Sequence, residues 1–258
     1  MKSLTATGLL ITTFAIHSHA AINYQYQPAL SSDDKHVQQM LKDSDVNTLV
    51  SDLSERYFRF DQPLTVVYGG DDGPLYDPQQ HQVIIPYQFY TDSVKYFLKH
   101  DYQKKFGKPA KQGAMDTMLH TLLHEIGHAY IADQQIPILG KEEDAVDNFA
   151  AVLMINYVNG GSDAVISAAD MFSFESEDRP QYYEVSEYIG EHSFDLQRYF
   201  SALCLVYGSD PEHYPTLLDE VEEDYRDERK DICLQTFTQI DENWRYVLNI
   251  EDSKSVKE

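Results

Sequence analysis

One stretch limits what this chain can become. Residues 118–131 read MLHTLLHEIGHAYI, with Met118, Leu119, Leu122, Leu123 and Ile126 distributed around a helix that also carries His120, His124 and His128. A helix that is apolar over much of its circumference is buried, and imidazoles taken out of water need partners. The spacing predicts a helix over 114–131, and the rest of the chain has to bring those partners to it.

Residues four apart share one helix face, so His124 and His128 can reach a single ion. With the residues between them they read His-Glu-Ile-Gly-His. Zinc accepts imidazole nitrogen in tetrahedral geometry, and a catalytic zinc keeps one position for water. Glu125, beside the first imidazole, can take a proton from the water that such an ion activates. The next predicted helix, 142–157, opens with the sequence KEEDAVDNFA and offers a third ligand. Glu143 and Asp147 lie one turn apart on it. Glu143 is assigned as the ligand, and Asp147 as the carboxylate that orients His124 through its other ring nitrogen. Glu142 is the rival ligand, but the residue one turn beyond it is Val146, which cannot do this. Three acids in a first turn also suit the helix dipole. His120 reads as a buried neighbour: a fourth histidine would close the coordination sphere, and each step of four residues rotates the face by about 40°.

At 258 residues the chain is long enough to bury a full core. Its formal net charge of −23 repels phosphates, which excludes nucleic acid and anionic membrane surfaces as partners. Residues 1–20 read as a signal peptide, with Lys2, an apolar run from Leu4 to Ile16, and Ser18-His19-Ala20 at the cleavage point. That run is too short for a permanent anchor, and no later segment has the apolar length of a membrane span. A mature protein from Ala21, periplasmic or secreted, is expected. In an oxidising compartment Cys204 and Cys233 are expected to form a disulfide.

The remaining pattern predicts an α+β plan. Residues 21–32 are expected to be loose, and 33–58 to be helical. PLTVVYGG reads as a strand, and GPLYDPQQHQVIIPY as two strands about the turn Asp77-Pro78-Gln79-Gln80. Helices are predicted over 91–106 and, after 142–157, over 164–174, 194–207, 214–225 and 229–248. The acidic run DEVEEDYRDER reads as a solvated helix face. The strand 82–87 is expected to border the cleft and pair with an extended peptide.

The chain resembles gluzincin-type zinc metallopeptidases in its HEIGH followed by Glu143 and Asp147. More narrowly, it is similar to a bacterial secreted metallopeptidase family with no assigned physiological role. The narrower likeness is carried by Tyr76-Asp77-Pro78, Glu142-Glu143-Asp144, Glu191-His192-Ser193 and Tyr207-Gly208-Ser209-Asp210-Pro211, and it covers about 33–248. The resemblance implies one zincin-like domain over 21–258, with an α/β part to 131 and a helical part from 132 forming the other cleft wall. It implies a single catalytic zinc on His124, His128 and Glu143, Glu125 as general base, and a peptide or protein substrate. Gluzincins commonly stabilise the oxyanion with a downstream His or Tyr, which points to His192, with Tyr182, Tyr183 and Tyr188 as rivals. Arg198 is left two roles, holding a substrate carboxylate or pairing with an acid. The alternative is a non-catalytic zinc-binding cell-envelope protein or interaction module, with His120 closing the coordination sphere or with no metal at all. Glu125 beside a complete ligand set favours the enzyme, because a scaffold does not need it.

Overall fold

The β-branched run Leu64–Tyr68 forms β2 at the centre of the sheet, where its near-continuous burial suits a strand covered on both faces. In this computed structural model, which describes residues 21–180 and 182–250, β2 lies between β1 (Ile22–Tyr26) and β4 (Gln82–Ile85). Both neighbours pair with it in parallel, and β3 (Leu75–Asp77) adds an antiparallel edge to β4. The expected signal segment, 1–20, lies outside the described residues. Helices α1 (Ser32–Asp43) and α2 (Val46–Tyr57) connect β1 to β2. After β4 the chain is helical: α3 (Tyr87–Lys99), α4 (Tyr102–Phe106), α5 (Ala110–Gln134), α6 (Glu142–Tyr157), α7 (Gly161–Glu177), α8 (Val185–Tyr188), α9 (Asp195–Ser209) and α10 (Glu223–Val247). The class is α+β, as the sequence pattern predicts. Among the described residues no helix is long and apolar enough to cross a membrane.

Several segments depart from the sequence expectation, each for a physical reason. Residues 22–26, expected to be loose, form β1: INYQY is too polar to signal a strand, but its tyrosines are anchored from α2. Tyr24 donates to the Asn47 carbonyl at 3.0 Å, and the Asn47 amide donates to Tyr26 at 2.8 Å. The predicted helix 33–58 is two helices, because the chain leaves helical geometry at Ser44 and Asp45. The helix predicted from 91 begins at Tyr87, directly after Pro86, and breaks at Asp101, whose φ is +53°. Residues 214–222 turn instead of forming a helix. There Arg226 reaches back to the carbonyls of Asp219 and Val221, at 2.7 and 2.9 Å from Nη2, so the acidic run straddles a turn and the start of α10. Strand β4 does not offer an edge to a peptide: it is hydrogen-bonded on both sides, and β3 is the outer strand.

Helix α5 is the centre of the packing. It is buried along most of its length and contacts α3, α6, α7 and the β3–β4 side of the sheet. Farther along the chain, α9 and α10 approach so closely at Gly208 that a Cβ there would lie 2.2 Å from the Cys233 carbonyl oxygen. Cys204 and Cys233 form a disulfide across the same crossing, with Cα atoms 4.9 Å apart. Its loop spans 29 residues. Chain-entropy arguments give such a bridge about 3–4 kcal/mol. The Cys204→Ala, Cys233→Ala double variant is therefore expected to lose about that much stability in urea unfolding.

A second test of the packing is Asp170, buried on α7 with Tyr102 donating to its carboxylate at 2.7 Å. Burial raises its carboxyl from 3.8 to about 6, against the lowering effects of Tyr102 and Lys108. A raised carboxyl stabilises the fold below the unfolded value, and this is lost as pH rises through the folded one. Asp170→Asn should therefore remove a decline in stability between about pH 4 and pH 6, read as the difference between variant and parent melting curves.

Candidate metal centre

The centre is built where α5 and α6 touch. Gly127 sits at that crossing: a Cβ there would lie 3.0 Å from both Phe149 Cδ1 and Val146 Cγ1. A larger residue would push α6 outward, so the glycine of HEIGH sets the distance between the two helices. Gln135, with φ +52°, ends α5, and the chain turns back into α6 by residue 142. The first turn of α6 then faces His124 and His128.

His124, His128 and Glu143 each present one donor atom, and the three atoms lie within 4.8 Å of one another. Glu143 Oε2 is 3.1 Å from His124 Nε2 and 3.4 Å from His128 Nε2. Two donors held at about 2.0–2.1 Å from one zinc at a tetrahedral angle stand roughly 3.4 Å apart. The donor set, two imidazoles and a carboxylate, therefore fits a zinc-type ion in both chemistry and spacing.

Each imidazole has its own carboxylate on the opposite nitrogen. Asp147 Oδ1 lies 2.7 Å from His124 Nδ1, and Glu142 Oε1 lies 2.8 Å from His128 Nδ1. With Nδ1 committed to its carboxylate in each ring, Nε2 is the nitrogen left to bind an ion beside Glu143. Arg198 grips Asp147 with two bonds, Nε to Oδ2 at 2.7 Å and Nη2 to Oδ1 at 2.8 Å, and its guanidinium stacks 3.9 Å above the Phe172 ring.

The electrostatics favour positive charge at the point of convergence. Burial opposes a charge on His124, but Asp147 and Glu143 outweigh it and raise that imidazole to about 9. Burial would raise Glu143 and Asp147, but His124 with His128, and Arg198 with His124, hold them far below the usual carboxylate range. Glu125 is the exception. It is buried without such a close cation, and burial leaves its carboxyl raised despite the nearby imidazoles. His120 is also buried, which lowers it to about 4; it packs edge-on against Phe172 and is not one of the three donors.

The structure thus brings together His124, Glu125, His128, Glu143 and Asp147. His192 joins them from the segment before α9: its Nε2 lies 2.9 Å from Glu143 Oε2. Lys141 Nζ holds that segment by the carbonyls of Gly190 and His192, at 3.4 and 3.2 Å. Of the two roles open to Arg198, pairing with an acid is the one it takes. Cys204 and Cys233 link α9 to α10 and contribute no donor. Two roles were missed from sequence, the Glu142 contact to His128 and the Lys141 tether. The first had a readable signal, since Glu142 adjoins Glu143 in the same helical turn. The second had none, because its partners are backbone atoms 49 and 51 residues away.

A family model described as "Putative metallopeptidase" matches residues 26–248. No curated protein and no solved structure matches the chain. The outer partners of the ligands provide a test independent of any reaction. If the three donors hold a metal ion, Asp147→Asn and Arg198→Ala should each weaken binding of added zinc by roughly 10- to 100-fold, measured by competition with a chromophoric chelator.

Proposed function

The chain belongs to this metallopeptidase family, and on that premise we propose that it is a zinc-dependent peptidase of the gluzincin type, acting outside the cytoplasm. The carrying observation is the convergence of His124, His128 and Glu143 beside a buried Glu125. His124, His128 and Glu143 would hold the zinc. When bound, zinc supplies Lewis acidity, which makes water a nucleophile near neutral pH and polarises a carbonyl.

The protein's own groups do the rest. Glu125 accepts the proton of the attacking water and passes it to the leaving amine; its burial makes it a better base than a solvated carboxylate. His192, 56% exposed and lining the same cleft as Glu125, is assigned to donate a hydrogen bond to the oxyanion that develops on the attacked carbonyl. Asp147 and Glu142 fix the ring orientations of His124 and His128, and Arg198 balances the buried charge of Asp147. The free edge of β3 lies along the cleft, where an extended substrate could add as a further strand. A small sheet beside the HEIGH helix, with helices opposite, supports a zincin-like reading of the fold. The Cys204–Cys233 disulfide supports an oxidising compartment. A closed, purely structural centre would need a ligand such as His120, which instead packs on Phe172.

Glu125→Gln is expected to keep one zinc per chain while peptide turnover falls by roughly 100-fold or more. Turnover equal to that of the parent protein would sink this mechanism. His192→Ala should lower kcat by about 100-fold with little change in zinc content.

A further inference from the structure

The cleft beside the donor set combines two kinds of surface. It encloses about 730 Å³. Opposite the ionisable groups of α5 and α6 it is lined by Pro74, Leu75 and Pro78, and at its mouth by Ile189. Ile189 is 81% exposed, and Tyr182, Val185 and Tyr188 on the same segment are 83%, 80% and 63% exposed. Of these four only Ile189 lines the cleft, and a large apolar side chain left in water there, beside Leu75 and the two prolines, marks surface that a ligand can cover.

The position of this apolar surface relative to the chemistry is fixed. Lys141 ties the segment down at Gly190 and His192, and His192 touches Glu143. Ile189 is three residues from His192, and an extended chain advances roughly 3.3 Å per residue. Its backbone therefore lies within roughly 10 Å of that of His192, and both residues line the cleft, which puts Ile189 beside substrate side chains close to the scissile bond. The charge on the cleft adds a second filter. Glu142 and Glu191 line it, and its lysine, Lys141, is committed to the two carbonyls.

We infer that the cleft selects peptides carrying a large apolar side chain within two positions of the scissile bond and rejects an acidic side chain there, with Ile189 and Leu75 making the apolar contact. This inference rests on the peptidase reading. The test begins with zinc-loaded full-length protein and a mixed peptide digest, with cleavage sites mapped by mass spectrometry. Sites should be enriched in Phe, Leu and Ile and depleted in Asp and Glu. A cleaved sequence carrying Phe at the preferred position should exceed its Ser counterpart in kcat/KM by roughly 10- to 100-fold. Ile189→Ser should bring that ratio towards one with zinc content unchanged. Unselective cleavage, or a ratio that neither Ile189→Ser nor Leu75→Ser moves, would overturn the inference. The failure of the underlying reading is separable through binding. With no cleavage at all, Phe and Ser versions of a quenched peptide are titrated against the zinc-loaded Glu125→Gln variant. Tighter binding of the Phe peptide, lost in the Ile189→Ser background, would keep the apolar cleft while the peptidase reading falls. Equal binding would remove both.

Discussion

The close approach of α5 and α6 at Gly127 is the constraint on which the rest of this structure depends. Val146 and Phe149 press against the backbone of the HEIGH helix because no side chain stands between them. That contact places Glu143 within about one ion's coordination distance of two imidazoles. The same helix carries Glu142 just before it and Asp147 one turn beyond, so a single helix–helix crossing delivers both the candidate ligand and the groups that orient its neighbours. Added volume at such a contact costs about 1–3 kcal/mol in a well-packed core. At this crossing it would also be felt as a displaced carboxylate.

The two orienting carboxylates illustrate how environment decides what else a site needs. Glu142 is about half exposed, and water can solvate the charge that His128 leaves unbalanced. Asp147 is only 17% exposed, and a lone carboxylate there would lose much of its solvation. Arg198 meets that requirement with a two-point grip, and Phe172 covers the face of the guanidinium. The asymmetry explains why one histidine is served by a single residue and the other by a chain of contacts reaching into α7 and α9.

The core of the site was legible in the sequence because it is local. His124, Glu125 and His128 share one helix, Glu143 and Asp147 the next, and helical periodicity places each on a face. The same reasoning failed where the deciding contact is distant or made by backbone. Strand β1 depends on tyrosines reaching α2, and INYQY by itself carries no apolar alternation. The interior position of β4 depends on pairing order, which hydrophobicity cannot report: an interior strand and an edge strand can read alike. The turn before α10 depends on Arg226 reaching backward to carbonyls. Lys141 likewise holds the His192 segment by carbonyls alone, and carbonyls are present at every residue.

The distance in sequence between Asp147 and Arg198 has a consequence for how the chain matures. All three donors belong to the helical hairpin of α5 and α6. Its Asp147 carboxylate has only the His124 imidazole beside it until Arg198, 51 residues later, docks with α9. Until then, closing the hairpin tightly would leave that carboxylate without the two-point grip of Arg198, which opposes a formed centre. Competence therefore arrives late and all together, when α9 locks onto α6 and the disulfide to α10 secures it. The packing of the fold itself delays the gathering of the three donors until their surroundings are complete.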